Sequence, residues 1–297
     1  TYWYHSHTNL QEQRGVYGAL VFHPKQESVR YDKEYVVVLS DWTDENPNQI
    51  LANLKKDGDY YALKKDSVQS WDKVIGHGWP AISARIQGAW SRMGPMDISD
   101  IAFDAFLSNG EKQHIVGPAK KGERIRLRII NAAAASYFNF EFSGGNMQVI
   151  AAAGINVKPF ETNRIRIAIA ETYDVLVTIP DHHSYEFRAT SEDGTGYSST
   201  ILGEGPLVSA TTIPKPNVFM MQHGTQSMYG TPMVGSKTMD HSTMGHHDMT
   251  MSHMMNTSEY EKLRAIEKTT LDANNPTREI TLDLTGNMER FVWSFNN

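Results

Sequence analysis

The chain begins TYWYHSHTNLQEQRGVYGALVFHP, which sets two histidines, His5 and His7, either side of one serine in an aromatic-rich stretch. Read as a strand, residues two apart face one side, so the two imidazoles converge with their β-carbons about 7 Å apart. Neutral imidazole suits copper, zinc, iron and nickel, and two such ligands hold none of them tightly without others from elsewhere in the fold. The pair therefore reads as part of a metal site. A half-exposed strand with histidines on its polar face is the simpler alternative. A zinc or iron hydrolase is a third reading, although no nearby carboxylate has the spacing for it.

A second group of donors lies far along the chain. Residues 219–255 hold ten of the fourteen methionines and five of the twelve histidines. Its densest part, MDHSTMGHHDMTMSHMM, carries Met239, His241, Met244, His246, His247, Met249, Met251, His253, Met254 and Met255. The spacing is too irregular for a helical stripe or a strand alternation. Thioether sulfur selects Cu(I) and imidazole accepts either copper state, so the segment suits copper collection without fixed geometry. The alternative is a low-complexity linker whose methionines are merely oxidised. The remaining histidines His23, His77, His114, His182 and His183 match no ligand motif and read as solvated or capping residues.

The elements that position these donors read mostly as strands. Thr1 to Pro24 reads as two strands around the polar turn Asn9–Gly15, and EYVVVLSDW as a buried strand. Between residues 46 and 96 the composition turns helical, as in NQILANLKK and AISARIQGAW. Short strands then recur: IAFDAFL before the Asn109–Gly110 turn, ERIRLRII, YFNFEF, MQVIAAAG, NRIRIAIA, TYDVLVTI and YEFRATS. This is a β-sandwich rhythm. SEYEKLRAIEK has helical composition, and REITLDLTGNMERFVWSFNN opens another alternating stretch.

Composition narrows the function. At 297 residues there is ample chain for one large domain or two smaller ones. A formal net charge of -6 disfavours nucleic acid, which needs a basic footprint. The absence of cysteine excludes disulfides, thiolate metal sites and cysteine nucleophiles within these residues. No run approaches the ~18 apolar residues of a membrane span.

The strand pair TYWYHSH…GVYGALV resembles the TxWYHxH…GxxGxLxV pair of multicopper oxidases. VVVLSDWTDENP, SRMGPMDISDI, GERIRLRIINAAAASYFNFEF, AAAGINVKPFETNRIRIAIAETYDVLV and the methionine segment follow in the order found in the bacterial copper-resistance (CopA-type) branch. The resemblance implies an all-β fold of cupredoxin-like Greek-key sandwiches with a helical insert around 46–96. It implies that residues 1–24 end a first cupredoxin domain, 25–33 are a linker and 34–213 form the second domain. Residues 214–275 would be the Met/His-rich segment and linker, and 276–297 the start of a third domain.

The implied cofactor is copper: a type 1 centre that takes electrons from Cu(I) or a small reductant, and a type 2/type 3 trinuclear cluster that reduces O2 to water. His5 and His7 match the second His-x-His motif of the family, which gives one imidazole to each copper of the type 3 pair. A periplasmic location is implied as well. The family's earlier His-x-His-Gly, late His-Pro-x-His-x-x-His and terminal His-Cys-His motifs are absent from these 297 residues. The chain is thus expected to be an internal piece that is inactive alone, with a non-catalytic copper-sequestering protein as the alternative. Gly122, Arg126, Arg128, Asn131 and Asp174 fall in family blocks and read as turn and strand-edge residues.

Overall fold

The computed structural model describes residues 1–215, except 28, 59, 63, 65, 66, 68 and 92–100, together with 259–270, 276, 278–287 and 292–296. The Met/His-rich residues 239–255, expected from their side chains to collect copper, lie outside the described residues.

The fold is all-β, as the strand rhythm indicates, and centres on two six-stranded sheets. One holds β3 (Lys33–Trp42), β4 (Ala105–Ser108), β6 (Arg124–Asn131), β8 (Met147–Ala152), β9 (Ile155–Thr162) and β11 (Thr172–Thr178), in the order β4-β3-β6-β11-β8-β9. The other runs β10 (Arg164–Ile167), β7 (Phe138–Phe142), β12 (Ser184–Ser191), β13 (Tyr197–Gly203) and β5 (Gln113–Gly117), with β14 (Leu207–Val208) paired to β12. Alternation sends Ile125, Leu127 and Ile129 of β6 inward, where they meet Phe138, Phe140, Phe142 and Phe187 from the facing sheet. Phe140 and Phe142 stack on Phe187 with ring centroids 5.7 and 4.5 Å apart. Full burial of each such side chain contributes about 1.5–3 kcal/mol.

The same alternation sends Arg126 and Arg128 to the outer face, yet they are only 5% and 1% exposed. Asp174 of β11 pairs across the sheet with Arg128, and Glu34 of β3 with Arg126. Asp174 Oδ2 accepts from Arg126 Nη2 at 2.6 Å and Arg128 Nη1 at 2.8 Å, while Arg128 Nη2 donates to Glu34 at 2.7 Å. This corrects the strand-edge reading of Arg126, Arg128 and Asp174, because β6 and β11 are interior strands and their charges form a covered ion-pair network. Gly122 does sit in a turn at φ +83°, and Asn131 braces one by donating to Ser136 O and Ile167 O.

The insert contains α1 (Pro47–Lys56), α2 (Trp71–Gly76) and α3 (Trp79–Ser91). Asn46 caps α1 by accepting from Asn48 N, with Pro47 in the first turn, where its missing N–H costs nothing. Asn109 and Gly110 take φ +49° and +85°, but β4 and β5 do not pair as a hairpin. Instead Asn109 hydrogen-bonds Val36 O and Val38 N on β3, and the chain crosses to the other sheet. Among the described residues of the SEYEKLRAIEK stretch, 259–268, the one helical piece is a 3-10 turn, Glu259–Lys262, before a bridge from Ala265 to Val157 ties it to β9. β15 (Leu284–Asn287) and β16 (Val292–Phe295) make a separate antiparallel hairpin.

Candidate metal centre

The histidine pair sits on a two-stranded hairpin, β1 (Tyr2–His5) and β2 (Tyr17–Leu20). The register pairs Trp3 with Ala19 and His5 with Tyr17. The start of β1 is fixed to the sandwich: the Thr1 hydroxyl donates to Asp174, and Thr172 Oγ1 donates to Thr1 O at 3.0 Å. The imidazoles follow at the other end of the strand, past these anchors.

The strand stops at His5, so His7 lies in the connecting turn and not in the strand as its spacing indicates. A local network holds the turn. Ser6 N donates to Val16 O at 3.0 Å, Ser6 Oγ donates to Gln11 Oε1 at 2.7 Å, and Thr8 N donates to Ser6 Oγ at 3.1 Å. These bonds keep His7 beside His5, with ring centroids 4.5 Å apart and planes 50° apart. On its other side His5 stacks on Trp3 at 4.3 Å and 19°. Trp3, His5 and His7 thus form one ladder of rings, with His5 half-buried and His7 exposed.

His5 Nδ1 is shielded from solvent and lies 2.8 Å from Glu12 Oε2, off the line of an aligned hydrogen bond. Glu12 belongs to a short 3-10 turn, Glu12–Arg14, that Gly15 closes at φ +89°. This carboxylate was not evident in the sequence, where a Glu in a polar turn reads as solvated. The available signal was that Glu12 occupies the turn that returns the chain over β1.

The donor set fits copper. Two imidazoles are borderline-soft nitrogen donors, and an Nδ1 turned toward a carboxylate leaves Nε2 to face an ion. The pair is not a complete site: among the described residues no group of three or more His, Cys, Asp or Glu converges on one point. The other histidines among the described residues are dispersed. His23 lies 3.8 Å from Glu34, His114 3.0 Å from Glu111 and His183 2.6 Å from Asp181. His77 caps α2, and His182 is exposed.

Comparison with known proteins places the chain in a family. The multicopper oxidase family model matches residues 33–206, and a second multicopper oxidase model matches residues 1–27, which contain the hairpin. The chain belongs to the multicopper oxidase family. It is similar to Copper resistance protein A of Escherichia coli, 42% identical over 82% of the chain and 41% of that protein. It is also 35% identical to the Copper resistance protein A homolog of Pseudomonas syringae pv. tomato, over 100% of the chain and 60% of the relative. The chain therefore spans 41% to 60% of the length of these two curated relatives. Among solved structures, the multicopper oxidase Fet3p, which functions in iron import, overlays with a TM-score of 0.51 at 17% identity, over 73% of this chain and 35% of that one. A laccase from Botrytis aclada gives 0.51 at 21% identity, over 73% and 38%. These structural likenesses establish the cupredoxin-like fold.

Proposed function

We propose that the chain works within a copper-dependent oxidase of copper resistance, in which oxidation of Cu(I) or a small reductant is coupled to reduction of O2 to water. The observation that carries this reading is the ring ladder Trp3–His5–His7 at the end of a hairpin anchored to a cupredoxin sandwich. His5 and His7 would each hold one copper of a type 3 pair, and copper bound there supplies one-electron redox chemistry toward O2. The chain's own part is to orient two imidazoles. Thr1 pins the strand, the Ser6–Gln11 bond sets the turn, and Trp3 blocks one face of the His5 ring.

Type 1 copper requires a thiolate in this family, and these residues have no cysteine, so that centre would lie outside them. We further propose residues 1–24 and 34–213 as parts of two successive cupredoxin domains, 276–297 as the beginning of a third, and a periplasmic location by family resemblance. Among the described residues no helix is long and apolar enough to cross a membrane.

The density of thioethers and imidazoles in residues 239–255 favours a second, compatible role in gathering copper for the oxidase. Oxygen uptake by the intact copper-loaded protein, with Cu(I) as donor, tests the oxidase reading. Uptake above that of free copper supports it, and uptake equal to free copper leaves copper sequestration as the function.

A further inference from the structure

We infer that Glu12 is a positioning residue for the copper ligand His5, holding the ring at Nδ1 so that Nε2 is presented to the metal. The inference rests on the reading of His5 and His7 as copper ligands and adds a residue to it. Three observations carry it. His5 Nδ1 is closed off from solvent, so a water has no room to satisfy it. The Glu12 carboxylate stands 2.8 Å away and is itself only 20% exposed. Glu12 makes no ion pair with a lysine or arginine among the described residues, so His5 is the ionisable neighbour its carboxylate faces.

The backbone explains how a glutamate arrives there. Arg14 N donates to Gln11 O at 3.0 Å, Gly15 N to Glu12 O at 2.9 Å and Val16 N to Gln11 O at 3.1 Å, which folds residues 11–15 into a tight turn above β1. Gly15 closes it at φ +89°, a conformation other residues rarely take. Trp3 packs on the His5 ring from one side, so face and edge of the imidazole are both held. A histidine that ligates a metal generally gives its other ring nitrogen to a carboxylate or carbonyl, which fixes the tautomer and the direction of the ligating lone pair. The distance of 2.8 Å suits a charge-assisted hydrogen bond, and catalytic-site hydrogen bonds that are poorly aligned in a ligand-free protein tighten when the site is filled.

The experiment compares Glu12→Ala, Glu12→Gln, His5→Ala and His7→Ala in the intact copper-loaded protein. Two quantities are read: copper retained against a chelator, and the fraction of copper visible by electron paramagnetic resonance, which is low for a spin-coupled pair. Melting of the copper-free form serves as the folding control. Glu12→Ala is expected to weaken copper retention by about 10- to 100-fold and to raise the visible fraction, at unchanged copper-free melting. Glu12→Gln keeps an acceptor oxygen and should recover much of the loss. Retention and visible fraction equal to those of the parent in Glu12→Ala, while His5→Ala and His7→Ala lose copper, would overturn the role of Glu12 alone. Unchanged copper in all four variants would overturn the ligand reading itself. Equal loss in Glu12→Ala and Glu12→Gln with lowered copper-free melting would also overturn the inference, since that marks Glu12 as a fold residue.

Discussion

The indole of Trp3 lies nearly flat on the imidazole of His5, with ring centroids 4.3 Å apart and planes 19° apart. Because both residues lie on one face of β1, the contact follows from strand geometry and restricts how far the His5 ring can swing. An aromatic contact of this kind is worth about 0.5–1.5 kcal/mol beyond burial. Trp3→Leu should therefore lower copper retention about two- to tenfold, while Trp3→Phe keeps most of it. Chelator competition on the intact protein measures this, and no change in Trp3→Leu would show that the stack does not position the ligand.

The Arg126–Arg128–Asp174 network joins two interior strands and, through the Thr1 hydroxyl, the histidine-bearing hairpin. Asp174→Asn keeps the shape but removes the charge facing two covered guanidinium groups. Breaking one partner out of such a pair costs about 3–5 kcal/mol. The denaturant midpoint should fall accordingly, and a loss below about 1 kcal/mol would mean that solvent or Glu34 compensates.

Acid should weaken the sandwich through Glu186. Burial by itself would raise this carboxyl, but donation from Arg188, Ser199 and Ala210 N outweighs it and holds the group below the usual glutamate range. A depressed carboxyl binds its proton less readily when folded, so its stabilising contribution is present above the unfolded value of about 4.3 and lost as pH falls through the folded one. Glu186→Gln should be less stable at pH 7 yet lose less stability on acidification below about pH 4.3. Urea midpoints across that range provide the check, and parallel curves for parent and variant would remove Glu186 from the acid response.

A peptide spanning residues 239–255 should retain most of its Cu(I) at about pH 5, because thioether sulfur does not protonate there, whereas imidazole with a pKa of about 6.5 does. Replacing its methionines with Leu should abolish that retention and spare Cu(II) binding at neutral pH. Equal Cu(I) retention after substitution, measured against a Cu(I)-specific chelator, would favour the plain linker.

Much of this fold was legible because it is written in local alternation. GERIRLRII places isoleucine and leucine on one side of β6 and arginine on the other, and the core uses that division. The burial of Arg126 and Arg128 was not legible, since it depends on which elements cover the outer face, a tertiary fact. The Asn109–Gly110 turn has the backbone its residues demand, but its partner strand is β3, chosen by the sheet and not by the turn. At the candidate metal centre, the histidine types and spacing were visible in the sequence. The end of β1 at His5 and the return of Glu12 over it were not, because both depend on the hydrogen bonds of the 6–16 turn.

The most direct test of the copper-pair reading is the copper content and visible spectrum of the intact protein carrying His5→Ala or His7→Ala. Loss of copper from the coupled pair, with oxidase activity abolished and the blue type 1 band unchanged, is the predicted result. A full copper complement in either variant, or a bleached blue band, would contradict the assignment of His5 and His7 to the type 3 coppers.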